Sequence, residues 1–172
     1  MTNTGEATAR AGNEASLSSA TLSVKKAAVL GAGTMGAAIA AHLSNAGIPT
    51  LLLDIAPSEL TPDEAAKGLT LESSAVRNRI VSQLFEASKK LKPAPFMLAK
   101  NAGLISIGNF ADDISKLKDC DLVIEAATED EATKKKIFAA VCPALRPDAL
   151  LATNTSSISI TRLASTTDRP EQ

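Results

Sequence analysis

The stretch Gly31-Ala-Gly33-Thr-Met-Gly36 constrains this chain more than any other feature. A short apolar run, Ala27 to Leu30, leads into it and an alanine-rich stretch follows. Asp54 stands 18 residues beyond Gly36, directly after three leucines. Each glycine at this spacing has its own task. Gly31 permits a tight turn out of a strand, and Gly33 lets backbone approach a pyrophosphate with no Cβ in the way. Gly36 lets the following helix pack close to the strand. The helix that starts at Thr34 then offers free N–H groups and the positive end of its dipole to phosphates. Asp54 ends the second strand where a carboxylate reaches the hydroxyls of an adenine ribose and repels a 2′-phosphate, and no Arg follows it. The pattern implies a dinucleotide site for NAD rather than NADP. The bland alternative is a glycine turn that closes an unliganded strand–helix unit.

The rest of the chain alternates in the same manner. Strands are expected at 27–30, 50–53, 104–107, 122–124 and 150–152, with helices at 34–46 and 131–145. Gly47 sits where a helix C′ residue belongs, and Pro49 bars continuation. Alternation of this kind implies right-handed crossovers and an α/β, doubly wound parallel sheet. About fifty residues separate Asp54 from Leu104, too many for a plain crossover. Within them Thr61-Pro62-Asp63-Glu64 has the form of a capping box, so a helical insertion is expected after the second strand. Residues 1–24, rich in Ser, Thr, Ala and Gly, have almost nothing to bury and are expected to form a disordered tail or linker. They lack the continuous apolar centre of a signal peptide. No internal repeat is evident.

Eighteen basic against nineteen acidic side chains, net charge −1, leave no footprint for nucleic acid or an anionic membrane. No apolar run approaches the roughly 20 residues of a membrane span. Four Phe with no Trp or Tyr imply an aliphatic core. Cys120 and Cys142 have no metal-ligand partners at short spacing, so they are expected to be reduced and buried, with no metal bound.

Three segments, LGAGTMGAAIAAHLSNAG, DCDLVIEAATEDEATKKKIF and LLATNTSSISITRLA, together resemble the 3-hydroxyacyl-CoA dehydrogenase family across most of 25–172. The insertion beginning ELTPDEAAKGLTLESSAVRNRIV is similar to the dehydrogenase segments of multifunctional fatty-acid oxidation proteins. The resemblance implies a Rossmann-type NAD-binding domain over residues 25–172, incomplete at its carboxyl end. It implies reversible oxidation of an L-3-hydroxyacyl-CoA with hydride transfer to NAD. It places Gly31, Gly33, Thr34, Met35 and Gly36 along the pyrophosphate and Asp54 at the adenosine ribose. Ala127, Thr128 and Glu129 would line the nicotinamide side, and Lys134 would put a charge near the nicotinamide ribose. Ser156 would stand between cofactor and substrate, its hydroxyl near the substrate 3-oxygen. Asn154 is a turn-former or a cofactor neighbour.

The family's general base is a histidine in a Gly-x-His-Phe-x-Asn-Pro segment, and the chain reaches Gln172 where that segment is due. The chain is therefore expected to bind NAD and to turn over little or nothing by itself. His42, on the first helix, is expected to be a packing residue. The resemblance further implies an acyl-CoA partner and a homodimer or multifunctional complex. The compartment would be the bacterial cytoplasm, or the mitochondrial matrix or peroxisome in a eukaryote.

Several residues have plainer readings. Lys67, Lys89, Lys90 and Lys92 are expected to be solvated, the alternative being contact with a CoA 3′-phosphate; Lys134-Lys135-Lys136 could face a CoA phosphate but is expected to be a solvated run apart from Lys134. Glu125 and Asp121 are expected to orient backbone at strand ends. Thr155-Ser156-Ser157 would otherwise cap a helix beginning near Ile158. Two rival functions remain: a β-hydroxyacid dehydrogenase of the 6-phosphogluconate or 3-hydroxyisobutyrate type, and a non-catalytic NAD-binding module.

Overall fold

The computed structural model describes residues 23–171. The expected amino-terminal tail lies outside the described residues, apart from Ser23 and Val24. In chain order the elements begin with strand β1 (Ala27–Leu30), helix α1 (Thr34–Asn45) and strand β2 (Thr50–Asp54). An excursion follows through α2 (Pro62–Ala66), α3 (Ser74–Arg77) and α4 (Arg79–Ser88). The chain returns as β3 (Ile105–Asn109), α5 (Phe110–Asp113), β4 (Leu122–Glu125), α6 (Glu131–Val141), β5 (Leu150–Thr153) and α7 (Ile160–Ala164). All pairings are parallel and the strand order is β3-β2-β1-β4-β5. β1 is central, and all four of its residues are buried.

That order carries a consequence for function. The chain runs outward from β1 to β3 on one side, then restarts at β4 on the other. Between the carboxyl ends of β1 and β4 the flanking loops diverge and leave a crevice, the place where open parallel sheets take ligands. The register sets Leu30 beside Leu53 and Glu125, so the ends of β1, β2 and β4 lie level at its floor.

Two apolar layers sandwich the sheet. On one face Ala28, Leu30, Leu51, Leu53 and Val123 pack with Leu117, Val141 and Leu145. On the other, Val29 and Leu52 pack with Ala40 of α1 and with Val81 and Phe85 of α4. Continuous aliphatic runs in strands covered on both faces are what a parallel sheet demands. The insertion is thus part of the core. Arg77 makes a paired contact with Asp112 at 2.6 and 2.7 Å, and the Asn109 amide donates to Asn78 Oδ1 at 2.9 Å, fastening α3 and α4 to the head of α5.

The capping box at the start of α2 forms as the sequence requires, with Thr61 Oγ1 accepting from Glu64 N and Glu64 accepting from Thr61 N. Gly47, at φ +81°, terminates α1. Two expectations are corrected and one plainer alternative is set aside. The helix expected over 131–145 is α-helical only to Val141; Pro143 has no N–H, and Cys142–Ala144 form a 3-10 turn instead. The last helix begins at Ile160 with Ser159 as its cap, so Thr155-Ser156-Ser157 do not cap it. His42 is exposed and not a packing residue. The buried stripe of α1 is Gly36, Ala37, Ala40, Ala41 and Ser44, and His42 falls outside it.

Candidate functional site

The crevice above β1 and β4 is a cleft of about 730 Å³. Its head is the glycine turn. Gly31 has φ +103°, and a Cβ there would sit 2.9 Å from the Ala126 carbonyl oxygen. Gly36 is buried under the turn, and a Cβ on it would overlap the Gly31 carbonyl. Gly33 differs: a Cβ there would meet nothing within 4 Å, and the residue lines the cleft. Gly33 is also the N-cap of α1, and no side chain caps that end. The first N–H groups of α1 are therefore left for a ligand, and its dipole places partial positive charge there. Thr34 and Met35 line the cleft beside it, with Met35 more than half exposed.

Asp54 lines the opposite wall, at the end of β2. Its two oxygens accept from Ala32 N at 2.6 Å and from Ile55 N at 2.7 Å. The carboxylate thus ties the glycine turn to the neighbouring strand end. Lone pairs remain on both oxygens for further donors such as sugar hydroxyls. The wall continues through Ile55, Leu84 of α4 and Phe110 of α5. Exposed large apolar side chains are costly at a free surface, and Met35, Ile55 and Leu84 gather at this rim. Leu84 and Phe110 were not candidates from sequence. Leu84 belongs to the insertion and Phe110 opens α5 directly after β3; packing of α4 and of α5 against β2 and β3 carries them to the cleft.

Ala127, Thr128 and Glu129 form the lip after β4, and Asn154 and Ser156 form the lip after β5. One carboxylate joins the two lips. Glu129 Oε1 accepts from Thr155 Oγ1 at 2.6 Å, Ser156 N at 3.0 Å, Ser157 N at 3.1 Å and Ser157 Oγ at 3.0 Å. The Thr155 hydroxyl foremost, then burial opposed by the other donors, leaves Glu129 at about 2, below the ordinary 4.5. So Ser156 is held on an ordered turn at the cleft edge.

Beneath this lip lies an ion pair with no solvent access. Lys134 Nζ donates to both Glu125 oxygens at 2.8 Å, and both side chains are 0 % exposed. Glu125 also accepts from Ala127 N at 2.7 Å and from Thr153 Oγ1 at 2.5 Å, which satisfies its remaining lone pairs. Lys134 further lies 3.5 Å from Glu129. A buried pair holds only when its hydrogen bonds are complete, as they are here. Lys134 and Gly36 are the two expected site residues that do not line the cleft. Lys134 belongs to the buried face of α6 with Phe138 and Val141, which burial against β4 enforces. Glu125 orients the Ala127 amide, as expected of it, and in addition holds this lysine. Asp121 accepts from Lys25 N and Lys26 N at 2.7 and 2.9 Å. Among the described residues no group of His, Cys, Asp and Glu is arranged to hold a metal ion. No described helix is long and apolar enough to cross a membrane.

The comparisons with known proteins agree with this geometry. A family model described as 3-hydroxyacyl-CoA dehydrogenase, NAD binding domain, matches residues 26–172. A probable 3-hydroxyacyl-CoA dehydrogenase of Bacillus subtilis is 50 % identical over 141 residues, 82 % of this chain and 18 % of that protein. A 3-hydroxybutyryl-CoA dehydrogenase of Bradyrhizobium diazoefficiens is 37 % identical over 87 % of this chain and 45 % of its own length. The crystal structure of (S)-3-hydroxybutyryl-CoA dehydrogenase from Ralstonia eutropha superposes with a TM-score of 0.58 at 30 % identity, covering 86 % of this chain and 47 % of that one. The chain thus spans less than half the length of these relatives. Putative trifunctional fatty acid oxidation enzymes of Rickettsia are also similar, at 34 % identity in Rickettsia felis. The family match answers the choice between acyl-CoA and β-hydroxyacid types in favour of the former. With its glycine turn, strand-end aspartate and switch-point cleft, the chain belongs to the NAD-binding domain family of the 3-hydroxyacyl-CoA dehydrogenases.

Proposed function

We propose that residues 25–172 form the cofactor half of an L-3-hydroxyacyl-CoA dehydrogenase and that their cleft holds NAD. The carrying observation is the pairing of an uncapped α1 amino end at Gly33 with Asp54 across one cleft. The α1 N–H groups would take the pyrophosphate, and Asp54 the adenosine ribose. Ala127, Thr128 and Glu129 would flank the nicotinamide, with Ser156 at the substrate side. NAD, when bound, supplies hydride exchange with the substrate carbon. The chain's own residues bind and orient: Glu129 fixes the Ser156 turn, and the Ser156 hydroxyl is offered to the substrate oxygen.

No described histidine lines the cleft, so no imidazole there takes the hydroxyl proton. Acyl-CoA is the proposed substrate class, after the names of the relatives. A homodimer or multifunctional complex is the proposed assembly. The proposed compartment is the bacterial cytoplasm, or the matrix or peroxisome of a eukaryote; one relative is the peroxisomal bifunctional enzyme of Cavia porcellus.

Backbone amide NMR during NADH titration tests the assignment. Shifts concentrated at Gly33, Asp54, Ala127 and Ser156 are expected. Shifts scattered elsewhere, or absent from a folded chain, would overturn it.

A further inference from the structure

Three consecutive lysines follow the first three residues of α6, and the helix sends each to a different place. Lys134 is buried against Glu125. Lys135 pairs with Glu131 at 2.7 Å in an i, i+4 contact on the outer surface. Lys136 joins Thr133 and Ile137 on the face that lines the cleft, the i, i+3, i+4 spacing of one helix stripe. It is exposed, and among the described residues no carboxylate lies within 4 Å of it. The titratable groups lining the cleft are Asp54, Glu129 and Lys136. Both carboxylates already accept hydrogen bonds from the protein. Among the described residues Lys136 is therefore the one cation lining the cleft, and it acts on Asp130 only at a distance, with no carboxylate in ion-pair contact.

A dinucleotide brings two negative charges on its pyrophosphate into a cleft that already contains two carboxylates. The α1 dipole supplies partial positive charge from one side. We propose that Lys136 supplies the opposing full charge from α6, as the side chain that pairs with the dinucleotide's phosphate oxygens. This inference rests on the dinucleotide reading and assigns to Lys136 a phosphate contact in place of the ribose-side charge expected of Lys134. A flexible ammonium on a four-carbon stem suits such a point-charge role.

The test is NADH affinity of the full 172-residue chain and its K136Q, K136R and K135Q variants, at low and high salt, with adenosine as an uncharged probe. K136Q is expected to bind NADH about fivefold more weakly at low salt, the size of one solvent-accessible ion pair. The loss should shrink as salt rises. K136R should retain affinity, K135Q should match the parent despite the same change in net charge, and adenosine should bind all four alike. Equal NADH affinity of K136Q and the parent would overturn the inference and leave the dinucleotide reading intact. So would a loss that salt does not affect, or one that adenosine shares. Failure of the unaltered chain to bind NADH would remove both.

Discussion

Gly31, Gly33 and Gly36 stand within six residues, yet Gly31 is constrained by Ala126, Gly36 by the Gly31 carbonyl and Gly33 by no neighbour at all. That difference separates folding from binding. Gly36→Ala pushes a methyl into the Gly31 carbonyl, and Gly31→Ala forces a positive φ as well as a clash with Ala126. Both are expected to lower stability by about 1–3 kcal/mol, seen as a reduced Tm. Gly33→Ala adds a methyl to open space at φ −57°, which alanine adopts freely. It should leave the Tm unchanged and abolish NADH binding. A parent-like NADH affinity in Gly33→Ala would show that no ligand backbone approaches there. The structural roles of Gly31 and Gly36 were readable from spacing, because a strand, a turn and a helix leave each one a fixed place. Lys134 was less readable: a lysine in a charged run is ordinarily solvated, and only the burial of Glu125 beside it calls it inward.

β4, α6 and β5 are joined at their functional ends by charge rather than by apolar contact. Removing one partner of the buried pair, as in Lys134→Met, leaves Glu125 uncompensated and should cost about 3–5 kcal/mol in chemical denaturation. Lys134→Met with Glu125→Leu should recover much of that loss; a double variant as unstable as the single one would argue against the pair as the cause. Acid adds a second probe of these elements. Glu129 lies at about 2, held chiefly by Thr155, and Asp112 lies at about 2, held chiefly by Arg77. Their ordinary values are 4.5 and 3.8. Both are depressed, so their stabilisation is complete above those ordinary values and fades as pH falls toward about 2. An acid titration should therefore show overall stability declining below about pH 4.5, while the Ser156 turn amides of the folded chain hold position until pH nears about 2. Strand and helix positions were largely legible, since aliphatic runs and caps such as Thr61 act locally. The end of α6 and the cap of α7 were not, because Pro143 and Ser159 compete with neighbouring residues of similar propensity.

At the scale of the whole molecule, burial grades outward from β1. Its four residues are inaccessible, whereas edge strand β5 is half open and Ala152 on it is exposed. Hydrogen exchange should be slowest at β1 and markedly faster at β5. The thiol of Cys120, raised to about 11 by burial, should resist alkylation until the chain unfolds. The doubly wound topology was legible from the alternation of elements. The cleft was legible only in part: its head and lips carry motif residues, but Leu84, Phe110 and Lys136 reach it through tertiary packing that no local pattern encodes. The glycine turn and Asp54 are expected to select NAD over NADP. Calorimetric titration of the chain with NADH and NADPH, repeated on Asp54→Ala, tests it most directly. NADH binding, much weaker NADPH binding and loss of that preference in the variant are expected. Equal affinity for the two nucleotides in the parent chain, or no binding of either to a folded chain, would contradict it.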